Sequence, residues 1–394
     1  MVRLKHIFLV VLTLAFAVDN AFGQRLALLE AEVHGGNDAE YLWPTTIPTD
    51  DGGVIISLTS SSTQGGNLNF SCNSGVYRSL IWKYNSRGER EWEQCYTNTT
   101  DSGYYYYFPL PDGSRILGGV GHFSPLGRHW RIRKEDRDGN ILWSKGYGGS
   151  RDEFLRDMIA TEDGGYILLG DTYSDDGDVD NHLGGYFMSD IWVLKLDSNG
   201  NKEWNRVLGG SHEDNAKSLL PAADGGCYIA GLTFSNDYDC TGLHGDWGRY
   251  ADAFVARVDK QGDLLWSRCI GGSRGDGAYD LASDGKGGVL IAGITNSGDG
   301  DVTHHKGGHN FWLVNMDKRG NIVWENCYGG TYASGAAVCR ATDGSIWVGG
   351  VTGEGASGGQ VDEEFGYNDA WVIRTDDRGN YLGGRVLGSP RGDE

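Results

Sequence analysis

The sequence predicts an all-β chain, a six-bladed β-propeller of four-stranded antiparallel blades. A unit of about 60 residues recurs along it, the period of a propeller blade or solenoid repeat. Glycine-bearing turns part short apolar runs throughout. The middle runs of each unit are apolar on both faces, which a sheet with one wet face would not be.

The repeats span approximately residues 35–95, 96–147, 148–208, 209–270, 271–328 and 329–388. An Asp-Gly-Gly turn marks them at Asp51-Gly52-Gly53, Asp163-Gly164-Gly165 and Asp224-Gly225-Gly226. It shortens to Asp112-Gly113 and Asp343-Gly344, and becomes Lys286-Gly287-Gly288 in the fifth copy. A second turn places Gly88, Gly139, Gly200, Gly262, Gly320 and Gly379 in step. Within one unit the first strand follows a Gly-Gly pair, as in 216–220, and the second crosses the Asp-Gly-Gly turn, as in 166–170. A variable polar loop leads to the third, 191–196, and an Asn-Gly turn to the fourth, 203–208. No sustained helical periodicity interrupts this order.

The third strand carries an aromatic residue in every copy: Trp82, Trp130, Trp192, Phe254, Trp312 and Trp371. The fourth carries Trp92, Trp143, Trp204, Trp266 and Trp324, then Gly384. Both series read as core. One unit cannot bury two apolar faces alone, so the units stack, and radial closure protects the ends. Residues 26–33 and 381–387 both resemble a fourth strand; one completes the last blade, and a seven-bladed ring using both is the alternative.

Composition fits one large β-domain over residues 24–394: 64 Gly and 20 Tyr, with 7 Pro and no Pro-rich linker. Residues 1–23 read as a secretory signal peptide, with a basic start at Arg3 and Lys5, an apolar run and a small-x-small site before Gln24. The mature chain is therefore expected to be secreted or held in the periplasm or cell envelope, without an integral membrane segment and as a monomer. A net charge of −20 repels nucleic acid and excludes it as a partner. Seven cysteines leave at least one thiol unpaired. Cys95, Cys269 and Cys327 recur at one place in three repeats and read as small core residues; a bridge Cys72–Cys95 or Cys227–Cys240 is the alternative.

The pattern GGSxxD…DGGYIxxGxTxSxDGDV…DxWVxKLDxxGNxxW, strongest over 148–330, resembles repeats of secreted Bacteroidetes β-propeller-like proteins. The resemblance implies the repeat type and no particular activity. Many of those proteins carry a type IX secretion sorting tail, which this sequence lacks after Asp393-Glu394. Asp197…Gly200…Trp204 and Asp259…Gly262…Trp266 are similar to the Asp-box of sialidase-type propellers and the docking motif of quinoprotein propellers. Both motifs dock one blade on the next, and neither implies catalysis.

Function is expected in the variable loops between second and third strands. Asp175, Asp176, Asp178 and Asp190, with Asp299 and Asp301, offer oxygen ligands around glycine turns, which suits calcium. The plainer reading is that Asp and Gly form ordinary turns there. Tyr105, Trp247 and Tyr250 are candidates for stacking on a ligand. His182, His244, His304, His305 and His309 lie in equivalent loops, but neighbours on an extended chain point apart. Arg274-Gly275-Asp276 and Arg391-Gly392-Asp393 spell an adhesion tripeptide that repeat grammar explains. The reading is a non-catalytic exported binding or scaffold propeller that contacts a glycan or protein. Its rivals are a glycan hydrolase or lyase using Asp175, Asp178 or Asp299, and a structural envelope protein.

Overall fold

A computed structural model describes residues 40–41, 46–49, 51–60, 77–98, 103–110, 112–122, 127–330, 333–353 and 369–387. Six antiparallel sheets, each in sequence order, form the blades of a six-bladed β-propeller, as the sequence predicts. Two compact units divide them: one runs to Tyr147 and holds blades one and two, and the other begins at Gly148 and holds blades three to six. No helix among the described residues is long and apolar enough to cross a membrane.

Blade three shows the pattern, with strands Glu153–Ala160, Tyr166–Thr172, Asp190–Leu196 and Lys202–Leu208. Blade four follows with Asp214–Pro221, Cys227–Thr233, Asp252–Val258 and Leu264–Ile270. Blade five has Asp276–Ser283, Val289–Thr295, Asn310–Met316 and Ile322–Tyr328. Blade six has Ala333–Arg340, Ile346–Thr352, Asp369–Thr375 and Tyr381–Leu387. The C-terminal segment thus supplies the last blade's fourth strand; residues 26–33 lie outside the described residues. In blade one the first strand comes in two pieces, Glu40–Tyr41 and Thr46–Pro48, both paired with Val54–Ser60.

The third strands of blades three to five are buried along their whole length, as in Asp190–Leu196, whereas those of blades two and six are buried in part. All six third-strand aromatics are fully buried. Each ring removes roughly 150–250 Å² from water, worth about 4–6 kcal/mol, so these positions dominate blade packing. Successive blades of the second unit share apolar layers: Ile167, Leu169 and Val193 of blade three meet Ile229 and Phe254 of blade four. The fourth-strand tryptophans do a second job. Trp204 donates its indole N–H to the Lys260 carbonyl at 3.1 Å and lies over Gly262 in the next blade's turn; Trp266 does the same with Lys318 and Gly320.

The polar residue near the end of blade three's third strand is satisfied within its blade. Lys195 is buried and pairs with Asp163 of the Asp-Gly-Gly turn at 2.9 Å and with Glu203 at 3.0 Å. Lys83 with Asp51, Arg257 with Asp224 and Arg374 with Asp343 repeat the pair. In blade five the turn residue is Lys286, and the third strand offers Asn315, which donates to the Val289 carbonyl at 3.3 Å. The acid of the Asp-Gly-Gly position and the strand base disappear together, and Asp284, earlier in the turn, accepts the Lys286 and Gly288 N–H groups instead.

A regular irregularity escaped the sequence. The first strands of blades two to six are bulged, between Tyr104 and Tyr106, Leu155 and Asp157, Ala216 and Ser218, Ala278 and Asp280, and Gly335 and Ala337. The bulge takes Tyr105 out of register; Tyr106 and Tyr107 resume regular pairing with Gly118 and Leu117, point to opposite faces and are both buried. Cys95 is disulfide-bonded, which corrects its reading as a plain core residue. Cys269 and Cys327 are free and buried, as expected of core positions, and so are Cys227 and Cys240; the alternative bridge between that last pair is absent.

Candidate functional site

The loops that join second to third strands in blades three to five fold against the Gly-Gly-Ser turns of their own blades. Ser150 N–H donates to Asp176 Oδ1 at 2.6 Å, Ser211 N–H to Asp237 at 2.8 Å, and Ser273 N–H to Asp299 at 2.7 Å. Gly148 N–H donates to Asp178 and Gly271 N–H to Asp301, both at 3.2 Å. The acidic Asp-Gly-Asp runs thereby close each loop on a main-chain turn. Hydrogen bonding from Ser273 holds Asp299 below the usual carboxylate range, so it is a poor general acid.

These contacts engage most of the carboxylates read as calcium ligands. Asp176, Asp178, Asp299 and Asp301 accept main-chain N–H groups, and Asp175 is exposed with Arg151 at 4.0 Å. Asp190 is fully buried at the start of its strand and accepts the Leu183 and Gly184 N–H groups at 2.6 and 2.9 Å. Among the described residues no three His, Cys, Asp or Glu side chains converge as a metal requires. The histidines serve locally: His182 and His305 close on loop carbonyls of Met188 and Gly308, His244 bonds Asp252 at 2.8 Å, and His304 bonds Glu325 at 2.7 Å. Asp276 of the adhesion tripeptide is buried against Thr295 and Ser297, which makes it loop framework. Residues 391–393 lie outside the described residues.

The same loops present aromatic rings to solvent. Trp247 is 57% exposed and stands 5.0 Å from the His212 ring. Tyr250, in the same loop, is half-buried with the Arg249 guanidinium over it. In blade three Tyr186 and Phe187 are 66% and 81% exposed and meet edge to face at 4.8 Å. Arg151 lies 3.8 Å over the Tyr186 ring and donates to the carbonyls of Tyr173 and Tyr186. These rings are held, yet uncovered. Tyr105 belongs to the bulged strand Gly103–Pro109 of the first unit.

Sequence reading missed Tyr186 and Phe187, although an apolar triplet with Met188 inside a polar loop was a signal. It also missed a row on the first strands, Asp157, Ser218 and Asp280, each four residues after the opening acid of its strand. Asp157 accepts the Leu219 N–H of the next blade at 2.7 Å, and Asp280 accepts Val338 N–H at 2.7 Å and the Ser218 hydroxyl at 3.2 Å. Burial raises Asp157 to about 7 and Asp280 to about 6.

No family model matches the chain. A stretch of 139 residues is 33% identical to the regulatory protein FlaEY of Caulobacter vibrioides, covering 34% of this chain and 14% of that protein's length. Among solved structures, the Neurospora crassa Pan2 WD40 domain is similar over 88% of this chain and 78% of its own, with 12% identity and a TM-score of 0.47. Cobalt-substituted Synechocystis ACO is similar over 72% of this chain and 61% of its own, with 13% identity and a TM-score of 0.42.

Proposed function

We propose that this protein is an exported, non-catalytic binding propeller that holds a glycan on the loop rim of blades three and four. The observation that carries the reading is the pair of exposed, braced aromatic sites, Tyr186-Phe187 on Arg151 and Trp247 on His212. Exposed rings normally cost solubility, and patches of them mark interaction sites. Bracing lowers the entropy lost when a ligand stacks on them. The exposed carboxylates of Asp175 and Asp246 beside these rings are acceptors for sugar hydroxyls. The leader-like residues 1–23 support placement outside the cytoplasm.

A glycan array with the mature protein tests the reading. Binding to at least one glycan class is expected, and Trp247→Ala and Phe187→Ala should each weaken it by about tenfold, the loss expected when a stacking anchor is truncated. An empty array, or variants that bind like wild type, ends the glycan reading; capture of a defined protein partner would move the rim to protein recognition. A second reading, a glycan hydrolase or lyase, has support in the half-buried carboxylates Asp157 and Asp280. Turnover of a polysaccharide abolished by Asp157→Asn would establish it.

A further inference from the structure

Asp190, Asp252 and Asn310 open the third strands of blades three to five in one register, opposite Thr172, Thr233 and Thr295. Asn310 shows what this seat requires. Its Oδ1 accepts the Lys306 N–H at 2.7 Å, while Nδ2 donates to the carbonyls of Gly307 at 2.9 Å and Gly330 at 2.8 Å. Gly330 belongs to the Gly-Gly turn of the next blade. Asp190 and Asp252 reproduce the accepting half: Asp190 Oδ2 takes Leu183 and Gly184 N–H, and Asp252 Oδ2 takes His244 N–H at 3.0 Å. In both, Oδ1 is buried with no hydrogen-bond partner. Asp190 Oδ1 lies against the next blade's Gly-Gly turn, 2.3 Å from where a Gly209 Cβ would sit. An ionised oxygen in the place of an amide N–H has nothing to bond, whereas a carboxylic O–H donates as the amide does.

A second exchange accompanies the first. Asp214, Asp276 and Ala333 are equivalent, since each donates its N–H to the residue before the seat: Ser189, Ala251 and His309. Asp214 accepts Gly210 N–H and the Ser235 hydroxyl; Asp276 accepts Gly272 N–H and the hydroxyls of Thr295 and Ser297. Two junctions thus hold two carboxyls each, of which one has donors enough for a charge. The third junction has Asn310 and Ala333, with no carboxyl at either place. A permanent donor and the missing second acid occur together.

We propose that Asp190 and Asp252 are neutral carboxylic acids in the folded protein, proton-dependent equivalents of Asn310, and that deprotonation loosens the rim loops 173–189 and 234–251. Those loops carry Tyr186, Phe187 and Trp247, so the consequence for ligand binding rests on the glycan reading; the protonation and the loosening do not.

The groups facing each acid fix the direction of its titration. Asp190 faces His182 Nε2 at 3.4 Å on its own loop, Asp214 on the next blade's first strand, and Asp237 and Asp239 on the next blade's loop. Burial first, then these carboxylates, raise it to about 7. Asp252 faces His244, whose other nitrogen is 3.7 Å from Asp301, and Asp276 of the next blade. Burial raises it to about 6, against the pull of His244. Both values exceed that of the unfolded chain. The stabilisation is therefore present at acid pH and lost as pH rises from about 4 through 7.

Thermal melting of wild type and Asp190→Asn/Asp252→Asn between pH 5 and 8 tests this, with infrared spectra that detect the C=O stretch of protonated carboxyls. Wild type should melt lower at pH 8 than at pH 5. The double variant should change less and exceed wild type at pH 8 by roughly 2–4 °C. Its spectrum at pH 5.5 should lack intensity in the protonated-carboxyl band that wild type shows. Asp190→Ala, which removes both halves of the contact, should melt lower at both pH values. A double variant that fails to fold or melts below wild type at pH 8, or a band unchanged by it, overturns the proposal. Glycan binding is not measured in this experiment, so a failed glycan array leaves its outcome intact.

Discussion

Gly262 and Gly287 both have positive φ, 85° and 90°, but they occupy different surroundings. A Cβ on Gly262 would lie 2.7 Å from the Trp204 ring, and one on Gly287 would meet nothing within 4 Å. The left-handed backbone alone costs a non-glycine residue about 1–2 kcal/mol. Overpacking against a docked ring adds about 1–3 kcal/mol. Gly262→Ala should therefore lower unfolding free energy in urea by about 2–5 kcal/mol, and Gly287→Ala by about 1–2 kcal/mol. Equal losses would mean that Trp204 moves aside freely and that the blade-docking role assigned to it is wrong.

At the scale of the blade, the turn acid and the third-strand base form one device. Blade five tests it because it lacks both members, with Lys286 in the turn and Asn315 buried on the strand. Asn315→Lys places an ammonium in a buried seat whose Asp-Gly-Gly acid is replaced by Lys286, with only the Asp284 carboxylate, already holding the Lys286 and Gly288 N–H groups, close to it, and should cost about 1–3 kcal/mol. Adding Lys286→Asp supplies the partner that Asp163 gives Lys195, and should recover most of that loss in a double-mutant cycle. Additive losses would show that the pair in other blades is incidental. The absence of this pair was visible in the sequence only as a weakened turn, because nothing local says which strand residue a turn carboxylate meets. Strand order and turn positions were legible for the opposite reason. Asp-Gly and Asn-Gly turns are local signals, and a middle strand such as Asp190–Leu196 announces two covered faces by its own composition. The rim was half legible. Trp247 was found by its type and Tyr186-Phe187 was not, while Asp176 and Asp299 looked like ligands because main-chain donors 26 residues away leave no trace in a sequence. The first-strand bulges and the row Asp157, Ser218 and Asp280 became visible only when pairing register was known.

Among the described residues, the carboxyl groups with perturbed titration fall into a raised set and a lowered set, the lowered one including Asp163, Asp224, Asp299 and Asp317 of blades three to five. Burial raises Glu153, Asp157, Asp190 and Asp214 to about 7 and Asp252 and Asp280 to about 6, all in blades three to five. Among the described residues of blades one and two the shifted carboxyls go the other way: hydrogen bonds lower Asp51, Asp112 and Asp136. A raised acid binds its proton more tightly when folded, so the second unit should lose stability as pH rises from about 4 to 7. A lowered acid contributes stability that vanishes only below the usual carboxylate range, so the first unit should be nearly indifferent over that window. Hydrogen exchange read by mass spectrometry, corrected for the intrinsic pH dependence of exchange, separates the two units. Protection of peptides from residues 153–328 should fall between pH 5 and pH 8, while protection of peptides from 77–98 and 127–147 stays constant. Uniform loss across the chain would assign the effect to general repulsion at a net charge of −20 instead of to these buried acids. Gain of protection at pH 8 would mean that the acids are ionised in the folded state and stabilised by contacts other than those described.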